Sequence, residues 1–474
     1  MKTFDKNITN FMYESLPTKL LVGSGFTLPL PLCSYMIIRA IRLLPTRSPL
    51  IHPDLQTKII IVTTLVPVTI ALISLLLFVL QNDSQKVSVM IRKRLFSPHY
   101  GNPFKMTDGE RIPNIQVKCE YQSKELEKIF ITVFTTNKEP SFISDLSNVI
   151  SASLRKQYEA FAVTQIIEDL NMISVTFVCT NVLKNHKIVA SRLKDIQSND
   201  PSKVVIQDNV DIDLTSSGSI LIVGKTRSGK TQAAQTILLQ LLANGPDKYD
   251  SKIIIVDPKS AELSTLPHTL SPSKHSLETI IESMEDFEKT IKYRQSVLNE
   301  MSIQSGSAEL WWKVGMKPSI LFIDEFVAFN TLLEKRANKD NFKCTKGYFE
   351  SLLKRIVTMG ASTGSFVILS IAQPNTQELS SMLRDAFTTK ILFRPTRDEA
   401  QFLWNASQYE LLPLQSYKAG DAWFTSSDGI HDTTVNYVQF PHLKFDAFRK
   451  LGVLLEEYGR LNTKSSPVQD ASAS

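Results

Sequence analysis

Residues 224–231 read Gly224-Lys225-Thr226-Arg227-Ser228-Gly229-Lys230-Thr231, a complete G-x-x-x-x-G-K-[ST] sequence. Two glycines let the backbone fold its N–H groups around phosphate, a lysine reaches the outer phosphates as a point charge, and a threonine offers a hydroxyl to magnesium. These types at this spacing point to a nucleoside triphosphate with Mg2+, held by all eight residues, with Lys230 also serving the reaction. A second cluster, Asp324-Glu325, closes the apolar run Ser319-Ile320-Leu321-Phe322-Ile323. Asp324 is expected to join Thr231 in the magnesium shell, and Glu325 to polarise the attacking water. The second carboxylate favours an ATP-hydrolysing machine over a switch that positions water by other means.

Such groups must be presented by a parallel sheet, since open α/β sheets put their chemistry at the carboxyl ends of the strands. Ser219-Ile220-Leu221-Ile222-Val223 reads as a buried strand feeding the phosphate loop, and Thr231 to Leu242 carries apolar residues at helical spacing. Lys252 to Val256 is a further strand, ending in Asp257-Pro258-Lys259. Ser365 to Ile371, followed by Ala372-Gln373-Pro374, is expected to lie between the phosphate-loop strand and the acidic strand. That is the additional-strand, catalytic-glutamate arrangement. Gln373 at the tip reads either as a sensor of the terminal phosphate or as an ordinary loop residue. Two amphipathic helices follow from spacing: Ser276 to Ser302, and the face made by Phe349, Leu352, Leu353, Ile356 and Val357.

With Val256-Asp257-Pro258-Lys259, Glu262-Leu263, Met284, Arg294, Phe322 to Phe326, Gly360 to Gly364, Lys390 to Arg394 and Gly420 to Trp423, residues 205–440 resemble the FtsK/SpoIIIE DNA translocases. The resemblance is to their short membrane-anchored members of conjugative plasmids and integrative elements. It implies a RecA-like P-loop ATPase domain, an α/β fold, working as a homo-oligomeric and hexameric ring on DNA. A neighbouring subunit's arginine would meet the developing phosphate charge; Arg384, Arg394 and Arg397 are candidates, each reading more readily as a surface or DNA-facing charge. Two departures stand out: Ala361 replaces the usual arginine, and the tip reads Ala-Gln-Pro rather than Thr-Gln-Arg-Pro.

The first ninety residues are of another kind. Ile59 to Leu80 is 22 residues without a charge, and Leu20 to Ile38 is 19, interrupted by Gly23, Gly25, Pro29 and Pro31. Both are long enough to cross a bilayer. They predict a transmembrane hairpin rather than a cleaved signal peptide, and a multi-pass cell-membrane protein with a cytoplasmic ATPase domain. Lys2, Lys6, Lys19, Lys86, Arg92, Lys93 and Arg94 would lie inside, against Arg39, Arg42, Arg47 and Lys58 in the short outer loop. A single span with an outside N-terminus is the alternative.

The expected organisation is 1–90 as membrane anchor (spans at about 20–38 and 59–80), 91–203 as a small α+β accessory domain, 204–445 as the motor, and 446–474 as a helix end and disordered tail. Within the accessory domain, Asn114 to Gln122, Lys128 to Thr136, Ala160 to Glu168 and Met172 to Cys179 read as strands and Ser141 to Leu154 as a helix. Asn199-Asp200-Pro201-Ser202 reads as a linker and Leu461 to Ser474 as tail. The net charge of +6 is not gathered in one run, and four scattered cysteines (Cys33, Cys119, Cys179, Cys344) have no metal-ligand spacing, so no structural zinc is expected. About thirty residues follow the last motor strand, so no winged-helix DNA reader is expected. The function implied is ATP-driven transfer of a conjugative element's DNA, with a relaxase and mating-channel proteins as partners. A chromosome-partitioning translocase and a type VII-like protein-secretion ATPase are the alternatives. DNA would be gripped without regard to sequence, the segment Leu332 to Lys346 with Lys335, Arg336, Lys339 and Lys343 being a candidate contact or a solvated loop.

Overall fold

The computed structural model describes residues 3–6, 13–27, 29–42, 53–122, 124–182, 186–208, 210–334, 342–372, 379–409, 417–432 and 435–465. The chain forms two compact units, Met1–Lys184 and Asn185–Ser474. The sequence Asn199-Asp200-Pro201-Ser202 therefore lies inside the second unit rather than between units. There Asp200 Oδ1 accepts from the Ser202 N–H (2.9 Å) and hydroxyl (2.6 Å).

In the first unit the uncharged stretches form α1 (Leu16–Thr27), α2 (Leu30–Arg42) and α3 (Pro53–Val79). Pro29, which has no N–H to donate, sits at the break between α1 and α2. The segments Leu16–Ala40 and Thr57–Val79 are long and apolar enough to cross a membrane. Their flanks are bare: Leu72, Leu75, Leu76 and Phe78 of α3 are all exposed, a surface suited to lipid and costly in water. The helices meet side by side, with Ser74 Oγ of α3 donating to the Pro17 carbonyl of α1 at 2.6 Å.

Helix α4 (Asp83–Phe96) then buries Val87, Ile91 and Leu95, spaced four apart along one face. It covers an antiparallel sheet of β1 (Ile115–Gln122), β2 (Glu125–Phe134), β3 (Phe161–Glu168) and β4 (Ser174–Asn181), in the order β1-β2-β4-β3. Alternation supplies the sheet's share of the core, from Ile129, Ile131 and Val133 of β2 to Val175, Phe177 and Cys179 of β4. The single helix expected over Ser141 to Leu154 is instead two short ones, Pro140–Ser144 and Ser147–Ser151. Serine hydroxyls divert the backbone pattern: Ser144 Oγ donates to Glu168 Oε1 at 2.6 Å, and Ser151 Oγ accepts the Val163 N–H at 3.0 Å.

The second unit is built on an eight-stranded sheet: β5 (Ile220–Gly224), β6 (Ile253–Val256), β7 (Thr269–Leu270), β8 (Ser319–Ile323), β9 (Ser365–Ile371), β10 (Thr389–Phe393), β11 (Asp421–Thr425) and β12 (Asn436–Gln439). Their order is β7-β6-β8-β9-β5-β10-β11-β12, parallel from β7 to β10 and antiparallel beyond. β9 is thus inserted between the phosphate-loop strand β5 and the acidic strand β8, as expected. The apolar runs are continuous because both faces are covered. Ile220, Ile222, Ile320, Phe322 and Ile368 pack with α5 (Lys230–Ala243), while Leu221, Val223, Leu321, Ile323 and Val367 pack with α6 (Leu277–Ser305) and α8 (Lys346–Gly360). A short helix α7 (Phe326–Leu332) leaves the acidic strand. The last helix, α9 (Ala447–Ser465), buries Leu451, Leu455 and Tyr458 in the core on the α5 side. Leu461 to Ser465 is accordingly helix and not tail.

Candidate functional site

The chemistry-bearing residues converge at the carboxyl ends of β5, β6, β8 and β9. The phosphate loop leaves β5 at Gly224, where a Cβ would come within 2.8 Å of Phe393 Cβ and 2.9 Å of Ser228 Oγ. Gly229, at φ +106, is more constrained still: a Cβ would stand 2.5 Å from the Gly420 nitrogen. The Gly420 N–H donates to the Ser228 carbonyl at 2.9 Å, so the start of β11 braces the loop from beneath. Lys225, Thr226, Arg227 and Thr231 are exposed, with Arg227 in the left-handed region at φ +65. Ser228 is buried, and its hydroxyl has no hydrogen-bond partner among the described residues.

Lys230 opens α5 and is buried, its Nζ 3.4 Å from Glu325 Oε2. Glu325 stands at φ +60, ψ +73, a left-handed conformation that a non-glycine residue keeps only when its surroundings impose it. Those surroundings are specific. Oε1 accepts the Ala372 N–H from the end of β9 at 3.1 Å, and Oε2 also faces Lys259 Nζ at 3.2 Å. Burial pushes the Glu325 carboxyl up, but Lys230, the Ala372 N–H and Lys259 together outweigh it, and its pKa lies below the ordinary value. Asp324 is the opposite case. Burial raises its pKa, and the nearby Lys230 offsets that only in part.

Lys259 and Ala372 are neighbours of Glu325 to which the sequence assigned no role. Asp257 fixes the first of them: its buried carboxylate accepts the Lys259 N–H at 3.2 Å and the Ser264 N–H at 2.9 Å. The Asp-Pro-Lys sequence at the end of β6, parallel to Asp-Glu at the end of β8, was the available signal. Gln373 lies outside the described residues, as do Lys335, Arg336 and Lys339. Lys343 is engaged with Glu285 of α6 at 2.8 Å.

The arginines divide by partner. Arg384 is held by Asp385 (2.8 Å) and the Phe402 carbonyl (2.8 Å), whereas Arg394 and Arg397 are exposed. Arg294 is fully buried and donates to the carbonyls of Thr363 and Lys317 and to Ser319 Oγ, with Asp247 at 3.5 Å. It secures the amino end of β8, away from the phosphate loop. Ala361 is exposed in the turn preceding β9, likewise at the amino end of its strand.

The loop fits a triphosphate on this structure's own terms. Two glycines keep a cradle that a Cβ would fill, Ser228 has a buried hydroxyl with no partner among the described residues, and the buried Lys230 lies beside the carboxylates of Glu325 and Asp324.

The FtsK/SpoIIIE family model matches residues 185–391. The FtsK domain-containing protein YdcQ of Bacillus subtilis is 28% identical over 174 residues, 36% of this chain and 33% of that protein. The DNA translocase FtsK of Borreliella burgdorferi is 23% identical over 202 residues, 40% of this chain and 24% of the relative. The chain thus matches a third or less of the length of these relatives. Among solved structures, the pCW3 conjugation coupling protein TcpA with ATPγS aligns at a TM-score of 0.45 with 16% identity, covering 73% of this chain and 93% of that one.

Proposed function

Because the chain carries an FtsK/SpoIIIE-family domain, we propose that it is a membrane-anchored, ATP-hydrolysing DNA translocase. The observation that carries this reading is the meeting of Lys230 and Glu325 at 3.4 Å, with an inserted strand between the two strands that present them.

ATP supplies the phosphoryl group to be transferred to water, and a bound magnesium ion would offset its charge. Lys225 to Thr231 wrap the phosphates with backbone N–H groups, and Lys230 moves from Glu325 to the outer phosphates. Thr231 and Asp324 would hold a magnesium ion; burial raises the pKa of Asp324, and a nearby cation would offset that. Released from Lys230, Glu325 keeps the Ala372 N–H and Lys259 as its orienting partners and takes the proton of the attacking water. Gln373 follows Ala372 directly, and a sensor there would be coupled to the same carboxylate through the backbone.

The working form in this reading is a homo-oligomeric ring, with Arg394 or Arg397 completing a neighbour's site. Two apolar helices tie it to the membrane as a multi-pass protein with a cytoplasmic motor. The finer role, transfer of a conjugative element's DNA with a relaxase and mating channel, rests on resemblance to the short membrane-anchored members of the family. DNA is gripped through its uniform phosphate backbone.

The test is ATP hydrolysis by the full chain with unrelated duplexes across a salt series. Stimulation by every duplex, weakening as salt rises, is expected. Preference for one duplex, or indifference to salt, would contradict backbone gripping. Transfer frequency of an element carrying Glu325→Gln tests the finer role; undiminished transfer would remove it.

A further inference from the structure

The start of α1 and the end of α3 come together over a cavity of about 610 Å³, with Ser15, Thr18 and Phe78 on that side. The remaining wall carries five cations, Lys86, Lys93, Arg94, Arg155 and Lys156, against one carboxylate, Glu14. Two of the cations are answered. Lys93 pairs with Glu14, and Lys86 lies 3.8 Å from Asp83. Arg94, Arg155 and Lys156 have no acidic partner among the described residues. The Arg94 guanidinium lies 5.1 Å from the centre of the Tyr100 ring, and its Nε is buried with no hydrogen-bond partner among the described residues.

The cations are placed by structure rather than scattered on a surface. Asp83, at the head of α4, accepts from Tyr158 Oη (2.6 Å), Tyr121 Oη (2.8 Å) and Gln157 Nε2 (3.2 Å). This anchors the turn bearing Arg155 and Lys156 against α4. Lys156 is held there at φ +59, a conformation that a lysine adopts only under such constraint. At the rim, Phe78, Val79 and Leu80 are exposed apolar residues.

We infer that this cavity is a headgroup site for an anionic phospholipid, whose phosphate is held by Arg94, Arg155 and Lys156 while its acyl chains lie along the exposed flank of α3. The inference rests on the membrane-anchored reading of the chain. A free phosphate would satisfy the same three cations, but only a lipid also covers the apolar rim. Three cations at the foot of two membrane helices would fix the depth and rotation of the anchor.

Native mass spectrometry of the full chain, delipidated in mild detergent and given equimolar phosphatidylglycerol and phosphatidylcholine, reads the site directly. Preferential retention of phosphatidylglycerol is expected. Arg155→Gln/Lys156→Gln, at two exposed positions, should cut that preference about thirtyfold, from two surface cations. Arg94→Gln should act in the same direction, and Lys118→Gln/Lys124→Gln in the β1–β2 hairpin should leave the preference unchanged. Equal retention of both lipids, an equal loss in the hairpin variant, or displacement of the lipid by millimolar inorganic phosphate would each overturn the proposal. Alkaline carbonate separates the two readings. A chain that stays embedded yet shows no lipid preference defeats this inference alone, and a chain that is released defeats the anchor reading and this inference with it.

Discussion

Replacing Glu325 by Gln tests the site's most distinctive feature, a lysine that must choose between a carboxylate and a nucleotide. Lys230 Nζ and Glu325 Oε2 are 3.4 Å apart, and their side chains are only 11% and 9% exposed. At an effective dielectric of about 20 that separation is worth about 5 kcal/mol of attraction. Much of it offsets the desolvation of both groups, and a glutamine retains a carbonyl for Lys230. The net advantage of the charged pair is then about 1–2 kcal/mol. A triphosphate has to draw Lys230 out of this pair, so Glu325→Gln should bind ATP about 5- to 30-fold more tightly than the parent. Hydrolysis should fall by about 10²- to 10⁴-fold as the water loses its base. Calorimetric titration with a non-hydrolysable ATP analogue measures the first effect and phosphate release at saturating ATP the second. Unchanged or weaker affinity would refute the competition, and parental turnover would refute Glu325 as the base.

Asp324→Asn should separate stability from function. With its pKa raised by burial, the native state binds this proton more readily than the unfolded chain, so the group's cost is full above the native pKa and is relieved as pH falls through it. The variant should therefore melt higher than the parent near neutral pH, lose that gain in acid, and lose magnesium-dependent nucleotide binding; a lower Tm at neutral pH would contradict this. Arg294→Met strips four polar contacts and leaves the Asp247 carboxylate to the N–H groups of Tyr249, Ser251 and Lys317 without its arginine, so thermal or denaturant unfolding should show a loss of about 3–5 kcal/mol. An unchanged midpoint would show that the buried cluster is dispensable. For topology, a cysteine introduced at Thr3 should resist an impermeant thiol reagent in intact cells and react after permeabilisation; labelling in intact cells would leave one span.

The parts of this protein written in local sequence were the legible ones. A glycine-rich loop between an apolar run and a helical stretch, and a second apolar run ending in two acids, describe their elements without reference to anything distant. Strand order followed from the additional-strand ATPase class that Asp324-Glu325 implied, and Ser365 to Ile371, apolar but for Ser365 and Ser370, is buried along its whole length as the inserted strand. What escaped depends on convergence. Asp257-Pro258-Lys259 marks a strand end in the sequence, but only the pairing of β6 with β8 brings that end beside Glu325 and sets the carboxylate between two lysines. The bracing of Gly229 by Gly420 joins residues far apart along the chain. The broken helix before β3 was misread because serines at helical spacing look helical until a strand edge offers them partners. The end of α9 looked like tail because its polar residues follow an apolar face that packs beside α5.

The central claim is that hydrolysis at Lys230 and Glu325 moves DNA past the protein. The most direct measurement is displacement of a fluorescent third strand from a linear duplex by the full chain in lipid nanodiscs. ATP-dependent displacement from unrelated duplexes, absent with the non-hydrolysable analogue and in Lys230→Ala and Glu325→Gln, is the predicted result. Robust ATP hydrolysis with no displacement from any duplex, or displacement that persists in Glu325→Gln, would contradict it.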